Sequence, residues 1–164
     1  MKGGLMATFF NYQIPLLYIS NKMTTMTLYE IVNEILDIAK QQPNINHTGE
    51  GDIYSLNSLP NIEYSVFFIT QSEHTQSEDT STYNLILYHI DRLLTDGSNR
   101  LQVQSQSMLA IQNVINIFQM NPDVQVDYDV RYTTFTHRFQ DECAGAFANV
   151  TITVDNDLGI CGYE

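Results

Sequence analysis

The strongest concentration of reactive side chains in the sequence is a short stretch that holds His137, Asp141, Glu142 and Cys143. A cysteine nucleophile needs a base such as histidine, usually brought close by the fold. The stretch lacks the glycine-bearing turn before a helix that typically activates a nucleophile. We therefore predict no catalytic residue and expect Cys143 to be a small buried side chain. A small intracellular α+β enzyme that uses Cys143 and His137 is the alternative hypothesis.

The spacing of the potential metal ligands favours no metal site. No histidine pair has zinc-ligand spacing, because the four histidines are isolated from one another: His47, His74, His89 and His137. Asp127 and Asp129 share one face of a predicted strand, where we expect a solvated surface. Residues 155–157 resemble the start of a calcium loop but lack its glycine and distal glutamate. Gly49-Glu50-Gly51 lacks the lysine of a phosphate-binding loop. We predict neither a metal nor a cofactor.

Composition sets broader limits on function. The 164 residues include 19 acidic and 7 basic side chains, for a net charge of −12. This acidity argues against a nucleic-acid reader that works through a basic face. A hydrophobic fraction of 43% argues against a disordered acidic tail.

The charge divides the chain into a basic arm and an acidic body. Residues 1–25 hold Lys2 and Lys22 and no acid, whereas the remaining residues hold all 19 acids. The arm is also apolar, and we predict that it packs on a neighbouring copy or another partner through six side chains: Phe9, Phe10, Tyr12, Leu16, Leu17 and Tyr18. Its polar interruptions argue against a signal peptide or a membrane span. A natural start at Met23 or Met26 is left open.

Two helices are predicted. Thr27 and Glu30 form a capping-box pattern before an apolar stripe, which predicts a helix over 27–41. A second helix is predicted over about 100–120, with its buried face formed by Leu101, Met108, Ile111, Ile115 and Phe118. The intervening residues 43–60 read as a loop with a short strand at 52–55.

Four strands complete the prediction. Residues 62–71 and 82–94 are rich in aromatic and branched side chains and read as a central hairpin. The polar residues between them form its projecting tip, which carries Glu73, Glu78 and Asp79. Two alternating segments, 124–133 and 144–154, predict the third and fourth strands.

These elements predict an α+β fold. We expect a two-layer sandwich over residues 26–154, in which two helices cover a four-stranded, antiparallel or mixed sheet in helix–hairpin–helix–hairpin order. Residues 1–25 form an N-terminal arm and residues 155–164 a C-terminal tail.

The segment from 135 to 154 carries a resemblance to a known class. Arg138-Phe139-x-Asp141 followed by Ala144-Gly145 and an alternating strand resembles structural proteins of tailed phages that infect Bacteroidetes. The element order over 26–154 resembles ring-forming neck and tail-terminator proteins, and the lysine-poor, Asn/Gln/Thr-rich composition is similar to that of crAss-like phages.

The resemblance implies a non-enzymatic virion protein that forms a homo-oligomeric ring, six- or twelve-fold, at the head–tail junction. In such a ring the six arm side chains would contact a neighbouring subunit or a neck partner, and Glu73, Glu78 and Asp79 would be candidates for an acidic lining of the lumen. The protein's implied partners are other copies of itself, the portal, the adaptor or other neck and tail proteins, with genomic DNA passing through without sequence-specific binding and no membrane contact. It would be assembled in the host cytoplasm and located in the virion. A host-directed binding module is a further alternative.

Overall fold

The computed structural model describes residues 26–58, 62–127, 129–136 and 142–156. Two helices lie on one face of a mixed sheet, so the α+β, broadly two-layer prediction is confirmed. The elements are α1 (Leu28–Lys40), β1 (His47–Glu50), a 3₁₀ helix (Ile53–Ser58), β2 (Val66–Gln76), β3 (Thr80–Arg92), α2 (Arg100–Phe118), β4 (Gln125–Val126), β5 (Arg131–Thr136) and β6 (Cys143–Asp155).

Helix α1 begins at the predicted capping box. The Glu30 amide donates to the Thr27 hydroxyl oxygen, and the Thr27 amide donates to the Glu30 carboxylate at 2.7 Å. These two bonds satisfy amides that the helix itself leaves unpaired. Ile31, Ile35 and Ala39 are buried on the face that meets the sheet.

The sheet contains six strands within the described ranges, rather than the predicted four. Its order is β1-β2-β3-β6-β4, and β5 also pairs with β6. β1 is parallel to β2, while all other pairings are antiparallel. The β3–β6 ladder is the longest contact, since it runs unbroken from Thr80 opposite Asp155 to Arg92 opposite Cys143.

The helix-covered face holds the larger core. Its fully buried members include Ile111 and Val114 of α2 and, from the central strands, Phe67, Leu85 and Ile152. Alternate residues of each strand point to this face because side chains along a strand have a period of two.

The opposite face has two different halves. At one end Ile53 and Leu56 of the 3₁₀ helix cover a second apolar cluster that includes Phe68, Tyr88 and Ile90. Beyond this cluster the strands carry half-buried or exposed polar residues: Thr82, Asn84, Asn149, Thr151 and Thr153. The Thr151 hydroxyl donates to Asn84 Oδ1 at 2.8 Å across the β3–β6 pair. We call these five residues the polar half-face.

The predictions for residues 43–60 were wrong in two places. Residues 52–55 are not a strand, because a 3₁₀ helix begins at Ile53 after the Asp52 side chain accepts the Tyr54 amide at 3.0 Å. The strand lies earlier, at His47–Glu50, where the backbone pairs with Val66–Ile69. This polar segment has no apolar alternation, and its strand form depends on pairing with residues distant in sequence.

The predicted strand over 124–133 is interrupted. Of the residues described in and just after this segment, Gln125–Val126 and Arg131–Thr136 have strand geometry, and both strands pair with β6. Between them the Asp129 amide donates to Asp127 Oδ1 at 3.3 Å, which is a local turn contact. The alternating side chains therefore predicted a longer continuous strand than the residues that pair with β6.

Helix α2 agrees in extent and, in part, in its buried face, because Ile111, Ile115 and Phe118 are buried as predicted. Leu101 is 77% exposed, whereas Val103, Ser107 and Ala110 are buried with Ile111, Val114, Ile115 and Phe118. The small Ser107 and Ala110 allow the helix to approach the sheet closely, and hydropathy alone does not mark them as core residues. No helix in the described part of the chain is sufficiently long and apolar to cross a membrane.

Candidate functional site

The end of the sheet formed by the β2–β3 turn is strongly acidic. Glu78 and Asp79 are exposed in the turn, and Asp155 is exposed opposite Thr80 on the neighbouring strand. Asp123 and Asp155 line one shallow cavity of about 170 Å³ at the same end. We call Glu78, Asp79, Asp123 and Asp155 the acidic end. None of the four forms an ion pair with a basic residue of the described ranges.

The turn itself is firmly held rather than projecting alone. Ser77 Oγ lies 2.8 Å from Thr80 Oγ1, and the Ser77 amide donates to the Thr80 carbonyl. From the end of β6, the Asn156 amide donates to the Asp79 carbonyl at 2.7 Å and its side chain donates to the Ser77 carbonyl at 3.0 Å. The backbone of the turn is therefore fixed against the end of β6, and the exposed Glu78 and Asp79 side chains extend from it.

Glu73, the third predicted lining residue, lies apart from this turn. It is on β2 opposite Asn84, just after the irregularity in strand pairing between Gln71 and Glu73. Next to it His74 stacks on Tyr83 with ring centroids 4.6 Å apart. The structure thus brings Glu78 and Asp79 together and leaves Glu73 along the strand.

Cys143 has the buried position expected from its sequence surroundings. Its exposed fraction is 0%, and it belongs to the apolar cluster of Val66, Phe68 and Ile90. A thiol in this position is closed to substrate. His137 and Asp141 lie outside the described residues, as does Arg138.

The carboxylate pairs considered for metal binding are not assembled into a ligand cluster. Asp127 and Asp129 are both exposed. No group of three or more metal-ligating side chains occurs within the residues that the structure describes. Asp157 lies outside them.

Sequence reasoning missed the most perturbed residue, His89. It is only 2% exposed, on the helix-covered face of β3, and its Nδ1 lies 2.9 Å from Ser107 Oγ of α2. Burial lowers the pKa of His89 from 6.5 to about 4, against smaller opposing effects of Asp91 and the Asn44 carbonyl. Nε2 completes no hydrogen bond of acceptable geometry.

A polar cavity of about 230 Å³ lies beside this imidazole. His89, Asp91 and Asn44 line it with side chains from one face of α2, namely Gln106, Leu109, Ala110 and Asn113. It has room for water, each molecule of which takes about 30 Å³ in the liquid. Among the described residues that line it, His89 supplies the one imidazole and Asp91 the one carboxylate.

Six arm residues proposed for an interface lie outside the described residues: Phe9, Phe10, Tyr12, Leu16, Leu17 and Tyr18.

No model of a known protein family matches the sequence, and no curated protein matches it.

Proposed function

We propose that this chain is a non-enzymatic structural subunit of a phage virion. In this proposal it forms a homo-oligomeric ring at the head–tail junction, with six or twelve copies, and contacts the portal, an adaptor or other neck and tail proteins. The resemblance around Arg138–Val154 is the starting point of the proposal. The acidic end is the structural observation that best supports it.

An acidic channel suits the passage of DNA. Fixed carboxylates repel the phosphate backbone, so a duplex can slide without the counterion release that holds it on a basic surface. Asn156 holds the backbone of the turn at the Ser77 and Asp79 carbonyls, so the turn would present Glu78 and Asp79 at the same place in every subunit. Repeated by ring symmetry, a few carboxylates per subunit give a continuous negative belt.

The sheet supplies the rigid body that a ring subunit needs. β6 pairs with β3 along its whole length and with β4 and β5 on its other side. We take the helix–hairpin–helix–hairpin order as the underlying plan, with β1 and β4 added to it.

Native mass spectrometry and electron microscopy of the purified full chain test the ring. We expect one closed oligomer of six or twelve copies, alone or with its neck partners, and detection of the chain in purified virions. A stable monomer that is absent from virions would overturn the proposal.

Charge reversal tests the orientation of the acidic end. We expect Glu78→Lys with Asp79→Lys to make the ring retain duplex DNA at low salt. The matched control reverses Glu63 and Glu142, which are exposed elsewhere on the body. Equal DNA retention by both double variants would contradict a channel position for Glu78 and Asp79.

Alkylation tests the enzyme alternative. A buried Cys143 should react with iodoacetamide only on unfolding, after Cys161 is replaced by serine. Rapid modification of the folded chain would favour a reactive thiol instead.

A further inference from the structure

One edge of the sheet is open for most of the length of β2. β1 pairs only with Val66–Ile69, whereas β2 continues to Gln76. No strand of the described ranges pairs with the outer edge of residues 70–76, and residues 71–76 are all exposed. Such an edge offers unpaired backbone donors and acceptors to another strand.

An apolar cavity lies where this open edge begins. Its volume is about 240 Å³, and Leu28, Tyr29 and Val32 of α1 line it together with Ile69 of β2. Glu50, at the end of β1, also borders the cavity. A strand added beside β2 would pass over this cavity with every second side chain directed toward the α1 layer.

The open edge is selective as well as accessible. Glu73 places a charge on it, and the pairing irregularity between Gln71 and Glu73 disturbs its regular geometry. Both features discourage indiscriminate strand pairing. The occupant must therefore supply apolar side chains on one face only and must tolerate or complement negative charge.

Residues 10–14 of the N-terminal arm have these properties. Phe10, Tyr12 and Ile14 alternate with Asn11 and Gln13, which is the period-two pattern of a half-buried strand, and a proline follows at position 15. The arm as a whole carries two lysines and no acid.

We propose that residues 10–14 of a neighbouring copy add to the open edge of β2 as an extra strand. Phe10, Tyr12 and Ile14 enter the cavity beneath α1, while Asn11 and Gln13 lie on the polar side of the sheet near Thr75. The assignment to a neighbouring copy rests on the proposed self-association of the chain. The match of the segment to the edge rests on the cavity and the alternation.

The length of chain between the docked segment and Met26 limits the distance between neighbouring copies. Met26 packs against the main core, next to the first turn of α1 that lines the cavity. An extended linker over residues 15–25 spans at most roughly 40 Å at about 3.5 Å per residue. Adjacent open edges must therefore lie within this reach.

Engineered disulfides in the full chain test the contact and identify its source. With Cys161→Ser as background, Asn11→Cys or Tyr12→Cys is combined with a cysteine at Gln71, Glu73 or Thr75. Neighbouring strands bring paired Cα atoms into disulfide range. We expect at least one pair to give a ladder of covalent oligomers under mild oxidation, whereas a cysteine at exposed Gln112 on α2 gives none.

Each other outcome overturns the inference in a distinguishable way. A cross-linked monomer would place the arm on its own copy. A ring detected by native mass spectrometry without any cross-link would refute the docking site and leave the ring proposal standing. Absence of both the ring and the cross-link would refute both proposals.

A cavity variant provides the second test. Tyr29 is 78% exposed, so Tyr29→Glu should leave the fold intact and put a charge among the docked apolar side chains. We expect at least a tenfold loss of cross-linking yield with unchanged circular dichroism. Leu101→Glu is the matched control, since Leu101 is 77% exposed on the other helix. Equal yields from the two variants would contradict the cavity's role.

Discussion

The two faces of the sheet differ in what they demand of the sequence. The helix-covered face is mostly apolar along the central strands, with Phe67, Leu87 and Val150 almost completely buried and His89 as a buried polar exception. The opposite face is apolar only where the 3₁₀ helix covers it and then becomes the polar half-face. The first face supplies most of the burial that stabilises the fold, because apolar area removed from water is the main favourable contribution.

The difference shows that one strand can pass through two environments, so its overall composition does not indicate which part of it is buried. β3 is apolar on both faces near Tyr88 and Ile90. Fewer than ten residues earlier, the same strand has the polar, half-buried Thr82 and Asn84 on the face that the helices do not cover. Four substitutions or conditions measure how far the faces differ, beginning with the largest expected effect.

Removing the Phe67 ring should strongly destabilise the helix-covered face. Phe67 is 0% exposed within the main core, and Phe67→Ala should lower the free energy of unfolding by about 3–5 kcal/mol. Urea unfolding followed by circular dichroism measures this. Thr75→Ala, at an exposed position on the same strand, should change it by less than about 0.5 kcal/mol. A similar loss of unfolding free energy in both variants would contradict the assignment of Phe67 to the core and of Thr75 to an exposed edge.

Acidification should act through the same face. The folded chain holds the pKa of His89 at about 4, against 6.5 for an ordinary histidine, so the unfolded chain binds more protons between these values. Stability should therefore fall as pH drops from about 6.5 to 4, by at most roughly 3 kcal/mol at 1.36 kcal/mol for each pH unit.

The His89→Asn variant separates this contribution from the acids. Its stability should be nearly flat between pH 6.5 and 5. Hydrogen bonds lower the pKa of Glu30, which is bonded to Thr27, and that of Asp96, which is bonded to Ser98. Protonation of these two carboxylates therefore reduces stability only below about pH 4.5. Parallel pH profiles for the variant and the natural chain would exclude His89 as the source.

A methyl group at Gly145 tests how closely the opposite face is packed at its apolar end. A Cβ there would meet the His89 carbonyl oxygen and lie 2.9 Å from Phe135 Cζ. Backbone cannot yield cheaply, so Gly145→Ala should lower the free energy of unfolding by about 1–3 kcal/mol. Gly49→Ala is a graded comparison, because its Cβ would meet only the Phe68 ring. A neutral Gly145→Ala would mean that this end is loosely packed.

The smallest effect is expected on the polar half-face. Thr151 is half-buried and its hydroxyl donates to Asn84, so Thr151→Val removes one partly solvated hydrogen bond. A β-branched replacement keeps the strand preference, and we expect a change of about 1 kcal/mol or less in thermal or urea unfolding. A loss as large as that of Phe67→Ala would show that this half-face is part of the structural core.

The sequence predicted the elements whose signals are local. The capping box at Thr27 and Glu30 gave the start of α1, and the dense apolar runs gave both central strands. It did not predict β1, because His47–Glu50 becomes a strand only by parallel pairing with β2. Nor did it predict the break in 124–133, since alternation describes side chains and not the availability of a partner.

In the candidate sites, too, the sequence predicted local features and missed contacts between residues that are distant in the chain. Residues adjacent in sequence, such as Glu78 and Asp79, were correctly placed together in a turn. His89 was read as an isolated histidine, because its partner Ser107 lies on another element and carries no apolar signal. The cavity at the end of β1 joins α1 to β2 and likewise depends on contacts that span the fold.

The central position of β6 has a consequence for the order in which the body can form. β3, β4 and β5 all pair with β6, which begins at Cys143, after every other described element has been synthesised. A nascent chain that ends before residue 143 therefore has both helices and the β2–β3 hairpin but lacks the strand that joins them to β4 and β5. The inner edge of β3 stays open until then, so these pairings form after translation of the core segments and make early release of the chain a risk for aggregation.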